Sequence, residues 1–383
     1  MAVRYTTGFE TGSTRPNIDL TGTTQSISNV NKISGDYSLR VNPSNGQTGY
    51  AILDMTLSGG AANVFPSGTS DTGSIRFNWK PMAIPQYLQR RFWEAVRSSD
   101  NAHMIILRIK SDGLMQIIVQ NGNQTEGTTK IHAKRKYQIN VVWTRSLDQV
   151  QVYIDGVLEF NINGGAADLG TENNGYFVFG DRNSGGGEDS AMELIYDDIV
   201  IRDDTTYINP GINKLGIPNA NGTYTAWTND YTNVREPQTD DGTGTEIIGV
   251  ANNDQESMTV SDPTAGQTVN AVMIRAVMIK SSASASTCQI LSRVAGVDEL
   301  SETITLGQTA YANGSVQTFA PATQPTQSQL AAWEIGLKAI DSTADPQCTQ
   351  LVAEIDYAFD AGFSPIKKEN KLRPSIFAPG IAR

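Results

Sequence analysis

The residues able to do chemistry are few and scattered. Asp181, Asn183, Glu188 and Asp189 share the loop 180–189, whose glycines (Gly180, Gly185, Gly186, Gly187) let the backbone turn freely. Their oxygens are the hard donors that calcium accepts. The spacing matches no EF-hand, and no Gly-Lys-Ser ending makes the loop a phosphate cradle. The plainer reading is a glycine loop between strands. Asp197 and Asp198 are adjacent, and neighbours on a strand point to opposite faces. They are therefore not expected to share a ligand, and one of them is expected to accept hydrogen bonds from a nearby loop.

The chain has two histidines. His132 lies in the basic run Lys130–Lys136 and reads as part of a solvated turn, or as a docking point for an acidic neighbour. His103 precedes an apolar run and reads as the start of a strand rather than as a base. Cys288 and Cys348 read as two reduced thiols or as one bridge in the second half, and no histidine is near them in sequence to complete a metal site. No Ser-His-Asp or Cys-His arrangement can be assembled from this material. Of the five tryptophans, Trp79, Trp143 and Trp333 sit in periodic apolar context and read as core. Trp93 and Trp227 lie in less regular segments and could be exposed to a sugar. No catalytic residue, cofactor or metal ligand is assigned, and an enzyme is not expected.

The elements that would position these residues are strands. Glycine is common (35 residues), charged residues make up 18%, and the Leu/Glu/Lys-rich stretches that build helices are scarce. Asn45-Gly46, Asp112-Gly113, Asn121-Gly122, Asp155-Gly156, Asn163-Gly164 and Asn174-Gly175 carry the positive-φ preference of two-residue hairpins. Around Asp155-Gly156, Val150, Val152 and Ile154 alternate with Gln149, Gln151 and Tyr153, the pattern of a sheet with one wet face. Further strands are expected at Ser38–Val41, Ser74–Trp79, Met104–Ile109, Leu114–Val119, Gln138–Trp143, Tyr176–Phe179 and Leu194–Ile201. In the second half they are expected at Glu246–Val250, Ala271–Lys280, Cys288–Val294, Ile304–Leu306 and Leu351–Phe359. Tyr87–Val96 fits either a short helix or an edge strand. Ser328–Lys338 fits a helix capped by Thr326 or Ser328, because Leu330, Trp333 and Leu337 recur at near-helical spacing. Turn chemistry over Arg202–Pro218 marks a boundary.

The net charge of -11 disfavours wholesale nucleic-acid binding. Met1–Thr6 has no apolar core of a signal peptide, and no run approaches a membrane span. The expectation is a chain made in the cytoplasm, with neither nucleic acid nor membrane as partner. Residues 363–383 are basic and punctuated by proline, and they read as an extended arm. Lys367, Lys368, Arg373, Ile376 and Phe377 would be its contacts on a neighbouring subunit.

Two resemblances follow from particular residues. Gly8-Phe9-Glu10-Thr11-Gly12, Ile33–Val41, Trp143 with Val150–Gly156, and Tyr196–Ile201 resemble the strands of concanavalin A-like, laminin-G-like jelly rolls over residues 1 to 203. Trp227–Asp230, Val234–Asp241, Leu330–Gly336 and Glu354–Tyr357 resemble a domain of tailed-bacteriophage virion proteins over residues 205 to 360. The second likeness implies a structural role on a particle as capsid decoration, neck, tail or fibre. The first implies a fold that includes glycosidases, whose retaining members carry Glu-x-Asp-x-Glu on one strand. Glu354-Ile355-Asp356-Tyr357-Ala358 departs from that motif at Ala358, and reads as a half-exposed strand with Ile355 and Tyr357 facing the core.

The resulting expectation is an all-β chain with a jelly-roll sandwich at 1–203, a linker at 204–218, a second, smaller sandwich-like domain at 219–362 and an arm at 363–383. It would act as a virion structural protein, assembling with itself as a trimer or other homo-oligomer and with other virion proteins. The alternative is a lectin-like module that binds host surface glycan.

Overall fold

A computed structural model describes residues 3–9, 18–21, 25–42, 49–54, 71–86, 89–97, 102–120, 122–164, 169, 174–182, 192–235, 246–261, 267–310 and 316–358. The described chain is nearly all β, as expected. Four antiparallel sheets form two sandwiches.

In the first sandwich the inner sheet runs Val157–Ile162, Gln149–Ile154, Tyr137–Thr144, Thr72–Pro81, Leu194–Arg202, Ser38–Val41, Gln25–Ser28, and Val3–Thr7 pairs with Leu194–Arg202. The outer sheet runs Gln124–Lys130, Leu114–Val119, His103–Lys110, Gln89–Arg97, Asn174–Asp181, Gly49–Asp54, Ile18–Thr21. Alternation creates both inner faces. Val150, Val152 and Ile154 are buried while Gln149, Gln151 and Tyr153 are half-buried, and Asp155 (φ 50) and Gly156 (φ 81) make the hairpin turn expected of them. Aromatic rings fill the core: Trp79 stacks on Phe92 at 4.0 Å between centroids, and Trp143 meets Phe177 edge-on at 5.9 Å.

The ambiguous stretch at Tyr87–Val96 is a strand, Gln89–Arg97, within the outer sheet. Its pairing slips between Arg91 and Trp93, so Phe92 and Trp93 both point into the core. That bulge destroyed the two-residue period in the sequence. Asn174-Gly175 is no turn but the beginning of the strand Asn174–Asp181. Conversely, Ala295 (φ 52) and Gly296 (φ 82) make a hairpin turn that the Asn-Gly and Asp-Gly pattern could not reveal. Asn45-Gly46 lies outside the described residues, as does the arm 363–383.

In the second sandwich the inner sheet runs Gly211–Gly216, Pro346–Ala358, Val269–Lys280, Val316–Phe319, with Ile247–Ile248 added on Pro346–Ala358. The outer sheet runs Pro218–Thr225, Gln255–Val260, Glu334–Asp341, Thr287–Val294, Val297–Leu300, with Ile304–Thr305 added on Thr287–Val294. Thus the stretch 204–218 carries the chain from one sandwich to the other and includes the strand Gly211–Gly216. The helix expected at Ser328–Lys338 is instead a short 3₁₀ turn, Gln327–Ala332, followed by the strand Glu334–Asp341. Trp333, Ile335, Leu337 and Ala339 are buried at a two-residue period, and their pairing with Thr287–Val294 and Gln255–Val260 overrides the helical spacing of Leu330, Trp333 and Leu337. Thr326 does start the 3₁₀ turn, and Gln329 Oε1 accepts its backbone N–H at 2.9 Å.

The two inner sheets face each other across a polar, buried contact. Arg76 forks onto Asp356, with NH1 at 2.9 Å from Oδ2 and NH2 at 2.5 Å from Oδ1, and NH1 also reaches Asn209 O at 2.8 Å. Glu354 Oε2 accepts Gly8 N–H at 3.1 Å, Thr6 donates to Asn213 Oδ1 at 2.5 Å, and Asn140 donates to Ile208 O at 2.8 Å. Gly8 permits this approach, since a Cβ there would lie 2.6 Å from Asn213 Cβ. Val200, Ile208 and Ala271 form an apolar patch in the seam, and Met273 reaches into the first core. Glu354 and Asp356 are therefore buried, not half-exposed, because the face of Pro346–Ala358 opposite Ile355 and Tyr357 is covered by the first sandwich.

Candidate functional site

Arg91 and Glu94 of Gln89–Arg97, His103 and Arg108 of His103–Lys110, Tyr176 of Asn174–Asp181 and Arg182 just after that strand meet on the outer face of the outer sheet of the first sandwich. The register accounts for it. Glu94 pairs with Ile106 and Val178, and Arg91 with Arg108, while Trp93, Ala95, Leu107 and Phe177 turn to the core. The bulge after Arg91 brings Arg91 and Glu94, three positions apart, to one face.

Glu94 is the centre. Its side chain is fully buried, yet its carboxylate meets three donors: Arg91 NH1 at 3.2 Å from Oε1, His103 Nδ1 at 2.9 Å from Oε2 and Arg182 Nε at 3.1 Å from Oε2. Burial works against its charge, but the hydrogen bond and charge of His103 and the charges of Arg91 and Arg182 outweigh it and hold the carboxyl below the usual glutamate range. The partners are partly exposed: 12% for Arg91, 17% for Arg182 and 35% for His103. His103 Nε2 lies 3.1 Å from Arg91 NH1, and Nδ1 lies 2.9 Å from Glu94 Oε2 and 3.1 Å from Arg182 NH2, so the ring sits between the carboxylate and both guanidiniums. Arg182 NH1 donates to the Tyr176 hydroxyl at 2.7 Å and lies over its ring. A buried carboxylate thus fixes two guanidinium forks, an imidazole and a phenol at a partly open surface.

The polar face continues across the sheet. Arg91, Arg108, Gln116 and Glu126 stand opposite one another on four successive strands. Arg108 Nε donates to Gln116 Oε1 at 2.6 Å and NH2 to Gln124 Oε1 at 2.8 Å. Lys110 pairs with Glu126. Planar forks and amides of this kind recognise hydroxyls and carboxylates by paired hydrogen bonds.

Residues singled out by type fall elsewhere or take other roles. Asp181 is buried and 3.4 Å from Arg90, facing inward. Asn183, Glu188 and Asp189 lie outside the described residues. Among the described residues no group of three or more His, Cys, Asp or Glu is gathered to hold a metal. Trp93 and Trp227, read as candidates for exposure, are buried in the two cores alongside Trp79, Trp143 and Trp333. His132 is exposed in a turn. Cys288 and Cys348 are free and buried, Cys348 Sγ donating to Gln350 O at 3.1 Å. Burial pushes the Cys348 thiol up to about 12.

Asp197 and Asp198 do converge. A bulge between Asp197 and Val200, with Asp198 at φ 51, breaks the alternation. Both carboxylates then reach Ser34 Oγ, Asp197 Oδ2 at 3.0 Å and Asp198 Oδ2 at 2.7 Å. Asp198 also accepts Asn213 N–H at 2.7 Å, so the pair fastens the loop at Ser34 and the second sandwich.

Of the site on the outer face, only His103 stands out by residue type in the sequence. The available signal was charge inside apolar runs: Glu94 amid Phe92, Trp93, Ala95 and Val96, and Arg108 amid Met104–Ile109.

No protein-family model and no curated protein matches the sequence. Among solved structures, the chain is similar to a Trypanosoma rangeli sialidase bound to 2,3-difluorosialic acid, at 12% identity and a TM-score of 0.38 over 52% of this chain and 31% of that one. It is similar to the cellulose-induced protein Cip1, at 11% identity and a TM-score of 0.38 over 52% of this chain and 97% of that one. It is also similar to the alginate lyase AlgAT5 of Polysaccharide Lyase family 7, at 14% identity and a TM-score of 0.35 over 49% of this chain and 94% of that one. The chain spans under a third of the length of that sialidase. At these TM-scores the likeness adds nothing to the β-sandwich architecture that the chain's own sheets show. Because the matched structures include enzymes, the expectation that this chain is not an enzyme is withdrawn.

Proposed function

We propose that the chain binds carbohydrate through the outer face of the outer sheet of its first sandwich. The observation that carries this reading is the fully buried Glu94, which holds Arg91, His103 and Arg182 in fixed geometry at a partly exposed surface. Burying an ion costs several kcal/mol unless its partners repay it, about as much as a hydrophobic replacement would save. A sheet face needs no such group to be stable. It does serve to preorganise forks and a phenol for a polar ligand, which lowers the ordering cost of binding. Sugar hydroxyls are both donors and acceptors and match the mixed set of Arg91, Arg108, Gln116, Gln124 and Tyr176.

The test is a glycan array probed with the full chain, with and without calcium, beside Tyr176→Ala and Gln116→Ala. Binding that falls in both variants while their melting temperatures hold supports the reading. A blank array overturns it.

A second reading, a virion component that assembles with copies of itself, rests on the resemblance over residues 205 to 360. Its Trp227, Trp333, Ile355 and Tyr357 share one core, which is compatible with a common domain framework. Light scattering of the full chain beside a chain ending at residue 362 tests it: a closed oligomer lost on truncation favours it, and a monomer in both opposes it.

A further inference from the structure

We infer that residues 226–234 form a strap from the outer to the inner sheet of the second sandwich, latched by the protonated carboxyl of Glu256 and released when that proton leaves. Hydrogen bonds fasten the strap to both sheets. On the outer sheet Ala226 N–H donates to Gln255 O at 2.9 Å, and Trp227 Nε1–H donates to Asp254 O at 3.2 Å. On the inner sheet Thr228 N–H donates to Ile248 O at 2.9 Å, and Leu351 N–H donates to Val234 O at 2.9 Å. Between these ends, Trp227 and Val234 are buried in the core of the second sandwich, with Tyr231 packed against it. Gly249 admits the indole, since a Cβ there would lie 2.7 Å from Trp227 Cε2. The strap contains the Trp227–Asp230 stretch that the sequence singles out and that the outer-face site does not use.

Glu256 lies beneath the strap. It belongs to Gln255–Val260 and shares the inward face of that strand with Met258 and Val260. It is 1% exposed. Its hydrogen bond comes from Trp227 N–H, to Oε2 at 3.1 Å, and among the described residues no cation pairs with it. The charged groups around it are Asp230 and the exposed Arg235 at the strap, Glu246 and Asp254 beside it, and Glu334, Lys338 and Asp341 of the adjoining strand. Glu334 and Lys338 stand opposite Thr259 and Gln255, on the other face of the sheet. The 3₁₀ turn Gln327–Ala332 carries no charge. Burial pushes the Glu256 carboxyl up to about 7 against the Trp227 N–H, which favours the anion, and the like charge of Asp230 adds to the rise. An anion without a cation is costly in such a place, so the closed strap keeps the carboxyl neutral. Once ionised, it gains by reaching water, and that requires the strap to lift. The contribution of the neutral group is therefore fully present below the ordinary glutamate value and is lost as pH rises to about 7. Acid tightens the strap, and neutral pH loosens it.

The experiment is amide hydrogen exchange of the full chain from about pH 5 to about pH 8, corrected for intrinsic exchange so that it reports local opening. The opening constants of the Ala226, Thr228 and Leu351 amides are expected to rise by about tenfold per pH unit up to about 7 and then to level off, one proton being released per opening. In Glu256→Gln, which keeps an acceptor for Trp227 N–H but carries no titrating proton, the same constants are expected to stay flat. A rise of equal size in Glu256→Gln, or no rise in the unsubstituted chain, would overturn the inference. If the variant does not fold, carboxyl-carbon NMR of the unsubstituted chain decides. A Glu256 midpoint near 7 supports the latch, and one in the ordinary glutamate range overturns it. Neither measurement involves a glycan, so their outcome is separate from that of the carbohydrate reading.

Discussion

The first sandwich buries a carboxylate under guanidinium on each of its two outer faces, with opposite consequences. On the inner sheet Arg76 meets Asp356 of the second sandwich, both fully buried. On the outer sheet Glu94 is equally buried, but Arg91, Arg182 and His103 above it keep part of their surface. The chemistry of the two clusters is alike. What differs is the cover: one face is sealed by a neighbouring sheet and its charges are spent on holding two sandwiches together, while the other retains surface that a ligand can reach. The electrostatics diverge accordingly. Burial raises the Asp356 carboxyl to about 6 despite Arg76 and Asn270, whereas Glu94 is held below its usual range by His103, Arg91 and Arg182.

Breaking the sealed pair should have the largest effect. Asp356→Ala leaves Arg76 buried and unmatched and should cost about 3–5 kcal/mol in urea unfolding. Arg76→Met with Asp356→Leu should recover much of it, because a buried pair replaced as a unit loses little. Glu94→Ala should cost less, about 1–3 kcal/mol, since water can reach the groups it releases. If Glu94→Ala proved the costlier of the two, the distinction between sealed and open faces would fail.

The pH dependence sharpens the contrast. Asp356 has a folded pKa raised above its ordinary value, so its contribution is fully present below that value and is lost as pH rises through about 6. Glu94 has a lowered folded pKa, so its contribution is present above the ordinary glutamate value and is lost as pH falls through its own lower one. Chemical denaturation across pH 3 to 8 should therefore show Asp356→Asn flattening the loss toward neutral pH and Glu94→Gln flattening the loss toward acid. The smallest effect is expected from Tyr176→Phe, below about 1 kcal/mol in stability for one partly exposed hydrogen bond. A larger change in melting would mean that the phenol holds the fold rather than waiting for a ligand.

Much of the architecture was legible because strand alternation is local. Ser38–Val41 and Leu114–Val119 emerge with the bounds read from sequence, and Asp155-Gly156 turns as its chemistry requires. Three misreadings share one cause, a pairing partner that overrides a local pattern. The bulge after Arg91 hid a central strand, and the bulge at Asp198 brought together two carboxylates that alternation keeps apart. Pairing on both sides converted the helical spacing of Leu330, Trp333 and Leu337 into a strand. The outer-face site was least legible, because Arg91, Glu94, His103, Arg108 and Tyr176 come from three strands, Arg182 follows the last of them, and together they form no motif in order along the chain.

What the amino-acid order determined by itself was the class of structure: short alternating runs and positive-φ dipeptides favour antiparallel sheets whatever their neighbours. What only the tertiary structure decided was the fate of each polar face. Alternation names which residues leave the core, but whether they meet solvent, as Arg182 and His103 partly do, or a second sheet, as Arg76 and Asp356 do, depends on contacts between residues up to 346 positions apart. No local pattern encodes such contacts, since they exist only once both sandwiches have formed and the desolvation of one face is matched by the groups of the other.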